Sequence, residues 1–236
     1  MDGPALRTQP LEGVGACVFD AYGTLFDIGS VAHGAAAALQ ALHVDVAAFS
    51  DLWRARQLQY TWLRGLTGRH ADFWQVTGDA LDYAMAARGL TDAGLRARLM
   101  ELYLRIGPYA EVPAVLQRLR AGRMRLAILS NGTPAMLEAA LANAGLAGLF
   151  EAVLSVEEAG TYKPHPRVYD LAPRRLGLPR EALCFVSSNG WDAWSAKAYG
   201  MRVLWCNRTG QPAERLPQTP DGQLADLAAL PDLVLS

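Results

Sequence analysis

The sequence predicts an α/β protein: a doubly wound parallel sheet, interrupted after its first strand by a helical insert. Three observations carry that expectation. The apolar run Val14-Gly15-Ala16-Cys17-Val18-Phe19 leads into Asp20-Ala21-Tyr22-Gly23-Thr24, the pattern of a buried strand entering a tight loop. Residues 28–105 then hold no convincing strand, and their apolar side chains recur at helical spacing. From Pro108 onward, helix and strand patterns alternate, as parallel strands joined by crossover helices require.

Taken in order, residues 1–12 carry two prolines and no periodicity and are expected to form a loose leader. After the first strand, Gly23 lets the chain turn, and Thr24 can hydrogen-bond the Asp20 carboxylate or cap the loop. Helices are expected over 31–42, 51–66, 72–88 and 91–104, with Gly89 and Gly107 as stops and Thr91 or Asp92 as a start. A helix over 112–121 closes at Gly122 and precedes a strand over 125–130; one over 134–144 closes at Gly145 and precedes a strand over 152–156. The next pair is a helix over 166–176, ending at Gly177, and a strand over 182–187. A helix over 192–199, ending at Gly200, leads to the last expected strand, 202–207. Prolines mark 208–222 as loop, and 224–235 is expected to close the chain as a short helix. The sum is a discontinuous Rossmann-like core, 13–27 with 108–236, and a helical cap, 28–107.

Composition narrows the function. With 236 residues, 51% hydrophobic and 19% charged, the chain has the profile of a soluble globular protein with a sizeable core. A formal net charge of -1 with scattered cations gives no footprint for nucleic acid or an anionic membrane, so a small-molecule partner is expected. Cys17, Cys184 and Cys206 all fall in strand-like apolar runs and read as core fillers rather than disulfide partners or metal ligands. The N-terminal stretch has no apolar signal region and no run reaches membrane-spanning length, which together point to the cytoplasm.

In a parallel sheet the carboxyl ends of the strands share one edge, where ligands bind. Here each expected strand end is polar. The first supplies Asp20 and Thr24; the next Ser130-Asn131-Gly132-Thr133; the loop after the third Tyr162-Lys163-Pro164; the fourth Ser187-Ser188-Asn189-Gly190-Trp191-Asp192. Singly, each has an ordinary reading: Asp20 as a turn aspartate, Lys163 as a surface lysine, 130–133 as a capping turn, Asp192 as a first-turn helix residue. Together they describe a site. A carboxylate nucleophile at Asp20 must stay ionised in a dry pocket, and an ammonium such as Lys163 favours that charge. Ser130 and Asn131, before a glycine and a helix start, suit an anionic group. Asp192 can orient a water or hold Lys163. In the insert, 100° per residue puts Arg54 on one helix face with Leu58, Thr61 and Trp62, a cation among apolar neighbours, whereas Arg56 and Arg64 read as solvated.

Four stretches, Asp-x-Tyr-Gly-Thr-Leu-Phe-Asp from Asp20, Leu-Ser-Asn-Gly from Leu129, Tyr-Lys-Pro-His-Pro from Tyr162 and Ser-Ser-Asn-x-Trp-Asp-Ala from Ser187, together resemble the haloacid dehalogenase superfamily. Within it they resemble the L-2-haloacid (type II 2-haloacid) dehalogenases, in family order over about residues 13–232. The resemblance implies hydrolysis of short L-2-haloalkanoic acids to D-2-hydroxy acids, with inversion, through an ester on the carboxylate matching Asp20, and with no metal or other cofactor. It places Arg54 at the halide with Asn131 assisting, and Thr24, Ser130 and Lys163 in the catalytic set. Tyr22, Leu58, Phe73 and Trp191 match the apolar wall, and Ala21 and Ser130 complete the substrate contacts. Tyr169 matches an active-site tyrosine, and Ser187, Asn189 and Asp192 match residues of the hydrolytic second step. Ala55 stands where related enzymes have glutamine, and Ala21 where leucine is common. A homodimer is also implied.

The rivals are a Mg-dependent phosphatase of the same superfamily, a defluorinating haloacetate dehalogenase and a catalytically silent relative. A phosphatase of this kind carries a second Asp two residues after the nucleophile, where Tyr22 stands, and a Gly-Asp pair where Ser187-Ser188 stands, so a hard divalent cation would be poorly held. Retention of Asp20, Arg54, Lys163 and Asp192 together speaks against a silent protein.

Overall fold

Four consecutive buried residues make up β1 (Ala16–Phe19), which suits a strand covered on both faces. In the computed structural model, which describes residues 8–235, β1 lies between β2 (Arg125–Ser130) and β4 (Leu183–Ser187). The sheet continues through β3 (Ala152–Ser155) on one side and through β5 (Arg202–Cys206) and β6 (Gly222–Leu224) on the other. Its order is β3-β2-β1-β4-β5-β6, and every neighbouring pair is parallel. Phe19 sits opposite Ile128 and Val186, and Ser130 opposite Ser155, so the strands finish along one edge. The strand order reverses at β1, and Asp20 follows it at the point where such sheets open a crevice.

Between β1 and β2 the chain forms α1 (Gly29–His33), α2 (Ala36–Ala41), α3 (Val46–Thr67), α4 (Phe73–Ala86), α5 (Ala93–Leu104) and α6 (Val112–Ala121). Aspartates start the three long ones: Asp45 accepts from Ala48 N, Asp72 from Gln75 N, and Asp92 from Gly94 N and Leu95 N. At 22 residues, α3 is about 33 Å long and packs against α1, α2 and α4. The outgoing and returning chain lie side by side: Asp27 N donates to Gly107 O at 2.9 Å and Tyr109 N to Leu25 O at 3.0 Å. The sheet is wound by α6, α7 (Pro134–Asn143), α8 (Pro166–Tyr169), α9 (Leu171–Leu176), α10 (Gly190–Tyr199) and α11 (Leu230–Val234). Cys17, Cys184 and Cys206 are free and buried within β1, β4 and β5. Among the described residues, no helix is long and apolar enough to cross a membrane.

Several boundaries differ from expectation. The single helix over 31–42 is two, because the chain leaves helical pairing at Gly34, where a Cβ would lie 3.0 Å from the Leu102 methyls. The helix expected from 51 begins at Val46, since Asp45 rather than Asp51 is the cap. The helix over 166–176 breaks at Asp170: Pro173 has no N–H to offer the Tyr169 carbonyl and its ring crowds it. The helix expected from 192 starts at Gly190. β5 is not the last strand, and 224–235 is not one helix; Gly222–Leu224 pairs with β5, and only Leu230–Val234 is helical. Of the expected leader, residues 1–7 lie outside the described residues, and the rest is tied down: Leu11 N donates to Leu233 O at 2.7 Å and Gln223 N to Thr8 Oγ1 at 3.0 Å.

Candidate active site

Asp20 extends β1 by one sheet hydrogen bond, its N–H donating to Val186 O at 2.9 Å, so its Cα is fixed by the core. The following loop winds around one acceptor: the Ala21 carbonyl takes hydrogen bonds from the N–H groups of Thr24, Leu25 and Phe26. Gly23 makes this turn at φ 88°, where a side chain would be strained and its Cβ would lie 3.2 Å from Ser188 Oγ. Thr24 Oγ1 donates to Asp20 Oδ2 at 2.9 Å and accepts from Ser188 N at 2.8 Å, joining the loop after β1 to the loop after β4. Asn189 Nδ2 donates to the same Oδ2 at 3.0 Å.

The other Asp20 oxygen faces a lysine that is 1% exposed. Lys163 Nζ donates to Asp20 Oδ1 at 3.0 Å and to Asp192 Oδ2 at 2.8 Å, and it lies 4.8 Å from the Phe185 ring centroid. Burial pulls the Lys163 ammonium down, but the carboxylates of Asp192 and Asp20 outweigh it and hold the group above the ordinary lysine range. Burial pushes the Asp192 carboxyl above the ordinary aspartate range, against the pull of Lys163, and Asp20 adds to the push. Tyr169, pushed well up by burial and then by Asp192, stays a neutral phenol and donates to Asp192 Oδ1 at 2.7 Å. Lys163 N donates to Asn131 Oδ1 at 3.1 Å, which leaves the Asn131 amide N–H groups for the cavity.

The opposite wall belongs to the helical insert. Arg54, on α3, donates from Nη1 to Gln57 Oε1 at 2.7 Å and from Nη2 to Asn189 Oδ1 at 3.3 Å. Gln57 is itself buried and donates to Thr77 Oγ1 on α4 at 2.7 Å and to the Tyr103 hydroxyl on α5 at 3.1 Å. Three helices therefore prop one guanidinium. Tyr22 packs its ring against Tyr103, Phe73 and Phe26, with centroids 5.4, 6.2 and 6.2 Å away. Burial, then Tyr103 and Asp20, push its phenol well above the usual range, and its buried hydroxyl has no hydrogen-bond partner among the described residues. The ring fits only because residue 132 is glycine; a Cβ there would meet Tyr22 Cε2 at 2.7 Å.

Asp20, Tyr22, Arg54, Leu58, Phe73, Ser130, Asn131, Lys163, Asn189 and Trp191 line one cavity of about 10 Å³. Thr24 and Asp192 stand behind it, bonded to Asp20 and Lys163 in front; Tyr169 backs Asp192, and Ser187 Oγ accepts from Asn189 N at 3.2 Å. Ala21 does not line the cavity; it is buried, and its carbonyl shapes the nucleophile loop. Gln57 and Tyr103 were not singled out by sequence reasoning. Gln57 had a signal, a polar residue three positions after Arg54 on the buried face of α3; Tyr103 had none. Chemically, the site offers a carboxylate held by three donors and a guanidinium lining the same small cavity. Among the described residues, no group of three or more His, Cys, Asp or Glu side chains is gathered as a metal site would need.

A family model for haloacid dehalogenase-like hydrolases matches residues 14–200. The chain is 43% identical over 224 residues to an (S)-2-haloacid dehalogenase of Pseudomonas sp. (strain YL), covering 94% of this chain and 95% of that one. It is 41% identical over 225 residues to haloacetate dehalogenase H-2 of Moraxella sp. (strain B), covering 95% and 99%. Among solved structures, it superposes with a TM-score of 0.85 on an L-2-haloacid dehalogenase from Xanthobacter autotrophicus with chloropropionic acid covalently bound, at 38% identity, covering 93% and 98%.

Proposed function

The chain belongs to the haloacid dehalogenase-like hydrolase family, and from that membership we propose that it is an (S)-2-haloacid dehalogenase, hydrolysing short L-2-haloalkanoic acids to D-2-hydroxy acids and halide. The observation that carries the reading is the buried Asp20–Lys163–Asp192 chain facing Arg54. Two of the three donors on Asp20 sit on Oδ2, so the lone pair free to attack is on Oδ1, beside Lys163 Nζ. Oδ1 attacks C2 from the side opposite the halogen; the C2–O bond forms as the C–halogen bond breaks, and C2 inverts. Arg54 and the Asn131 amide receive the departing halide, with Leu58, Phe73, Tyr22 and Trp191 as its dry surroundings. The substrate carboxylate lies toward Ser130 and the start of α7.

In the resulting ester, Oδ2 is the carbonyl oxygen. Thr24 Oγ1 and Asn189 Nδ2, at 2.9 and 3.0 Å, are then placed as an oxyanion hole when water attacks the carbonyl carbon. The alkoxide leaves as the hydroxy acid, Asp20 is regenerated, and one proton is released to solvent. Because water attacks the carbonyl rather than C2, the inverted centre survives. Asp192 works by holding Lys163, and Tyr169 and Ser187 by fixing Asp192 and the Asn189 backbone. We take 28–107 as a cap that closes on the core edge, and we extend to this chain a homodimeric state, a cytoplasmic location and a reaction without a metal ion.

The similarity to a relative named a haloacetate dehalogenase keeps a one-carbon-shorter substrate within reach of the same chemistry. The phosphatase reading is the weaker one: Tyr22 and Ser188 stand where it needs carboxylates, and the Lys163 ammonium lies between Asp20 and Asp192. The deciding experiment measures halide release from fluoro-, chloro- and bromo-acids of both hands in EDTA. Halide from L-2-chloropropionate and none from its mirror image is the expected result. Phosphate release restored by Mg²⁺, with no L-selective halide release, would transfer the chain to the phosphatases.

A further inference from the structure

The site cavity, at about 10 Å³, holds roughly one water-sized sphere, so any haloacid requires a wall to move. Most walls are pinned. Asp20, Lys163, Asn131 and Asn189 share the hydrogen bonds described above, Arg54 is propped by Gln57, and Phe73 is fully buried. Trp191 differs. Its support is the side chain it meets edge to face, Trp62, with ring centroids 5.4 Å apart and planes at 81°; Trp62 lies just outside the cavity, and its buried indole Nε1 has no acceptor among the described residues. A donor shut away without a partner costs free energy, and turning the ring outward relieves it.

Behind this pair lies a groove of about 480 Å³ that shares Trp191 and Lys163 with the site and is walled by Trp62, Leu66, Tyr162 and Leu216. The Lys163 charge is spent on Asp20 and Asp192, so the groove side is apolar. On α3 the residues Arg54, Leu58, Trp62 and Leu66 recur every four positions, so one helix face runs from the proposed halide clamp, through the site wall, into the groove.

Resting on the dehalogenase reading, we propose that Trp62 gates the site and that the groove behind it takes the alkyl chain of 2-haloacids longer than the short ones, making Trp62, Leu66 and Leu216 determinants of chain length. The halogen and carboxylate stay at Arg54 and Ser130, while the chain from C3 outward passes between the two tryptophans into apolar surroundings.

The test compares kcat/KM for L-2-chlorooctanoate and L-2-chloropropionate in the wild-type protein, in Trp62→Ala and in the double variant Leu66→Gln, Leu216→Gln. Leu66 is 85% and Leu216 46% exposed, so the double variant leaves folding intact and adds no charge to repel an anionic substrate. Wild type is expected to turn over both acids. The double variant should lower the octanoate-to-propionate ratio roughly fivefold to tenfold, with chloropropionate kinetics within about twofold of wild type. Trp62→Ala should raise the ratio about threefold or more. An unchanged ratio in the double variant, or a wild type that dehalogenates chloropropionate but not chlorooctanoate, overturns the inference and leaves the dehalogenase reading standing. A change of oligomeric mass in the double variant with an unchanged ratio assigns the groove to a second copy of the chain, and overturns it too. No halide from either acid defeats the dehalogenase reading and this inference with it.

Discussion

The two halves of the site are built on different principles. The core half is a closed network, in which both oxygens of Asp20 and of Asp192 and the Lys163 ammonium are bonded among the loops and helix starts at the sheet's carboxyl edge. The helical half presents one half-buried cation, Arg54, whose position depends on a glutamine and, through it, on two further helices. The lesson is that chemistry and stability are fused on the core side and separable on the other. Changing the core side should damage both; changing the helical side should damage turnover while leaving the fold.

The sharpest break is Asp20→Asn, which keeps shape and removes the nucleophile. Halide release is expected to fall by at least about 10⁴-fold, with substrate binding retained, measured by single-turnover halide assay and calorimetry. Persisting turnover would mean that water attacks C2 directly. Next comes Lys163→Met, which leaves two buried carboxylates without their cation. A loss of about 3–5 kcal/mol, or on the order of 10 °C in Tm, should accompany a loss of activity of about 10³-fold. A normal melting temperature would show that the core side is not fused after all.

The same lysine sets a pH signature. Its folded value is raised, so the stability it contributes is fully present below the unfolded lysine value of about 10.4 and is lost only as pH rises through the higher folded value. Melting followed from pH 8 to about pH 11 should show the wild-type advantage over Lys163→Met held through the lower part of that range and falling only near its alkaline end.

Arg54→Lys tests the other half. A point charge replaces a fork of donors, and turnover should fall about 10²-fold while Tm moves little. Unaltered kinetics would put the halide elsewhere. The smallest effect is expected for Gln57→Leu, about tenfold in kcat, because Arg54 keeps its charge and loses its prop. Combined with Arg54→Lys it should be clearly non-additive; additivity would uncouple the two residues.

Legibility in the sequence follows the same division. Asp20, Ser130 and Asp192 could be read because each sits at or within five residues of a strand end, and Lys163 because it stands in the loop that follows β3; parallel strands bring such ends together whatever else the fold does. Arg54 and Leu58 could be read from helical spacing. Tyr103 could not, since it reaches the site only through the packing of α3 on α4 and α5, 46 residues from the Gln57 it bonds. β6 escaped because three residues carry no period, and the break between α8 and α9 because the proline responsible lies three residues beyond it. Ala21 stands among the substrate contacts by resemblance alone; what the fold adds is its carbonyl, which takes three N–H groups of the loop and which no side-chain pattern reveals.

One contact sets a rule for drift. Since a methyl at 132 would collide with the ring at 22, and that ring is boxed in by three others, the two positions are not free to change independently. A lineage that gains any side chain at the first must give up the aromatic at the second, in the same step or before it.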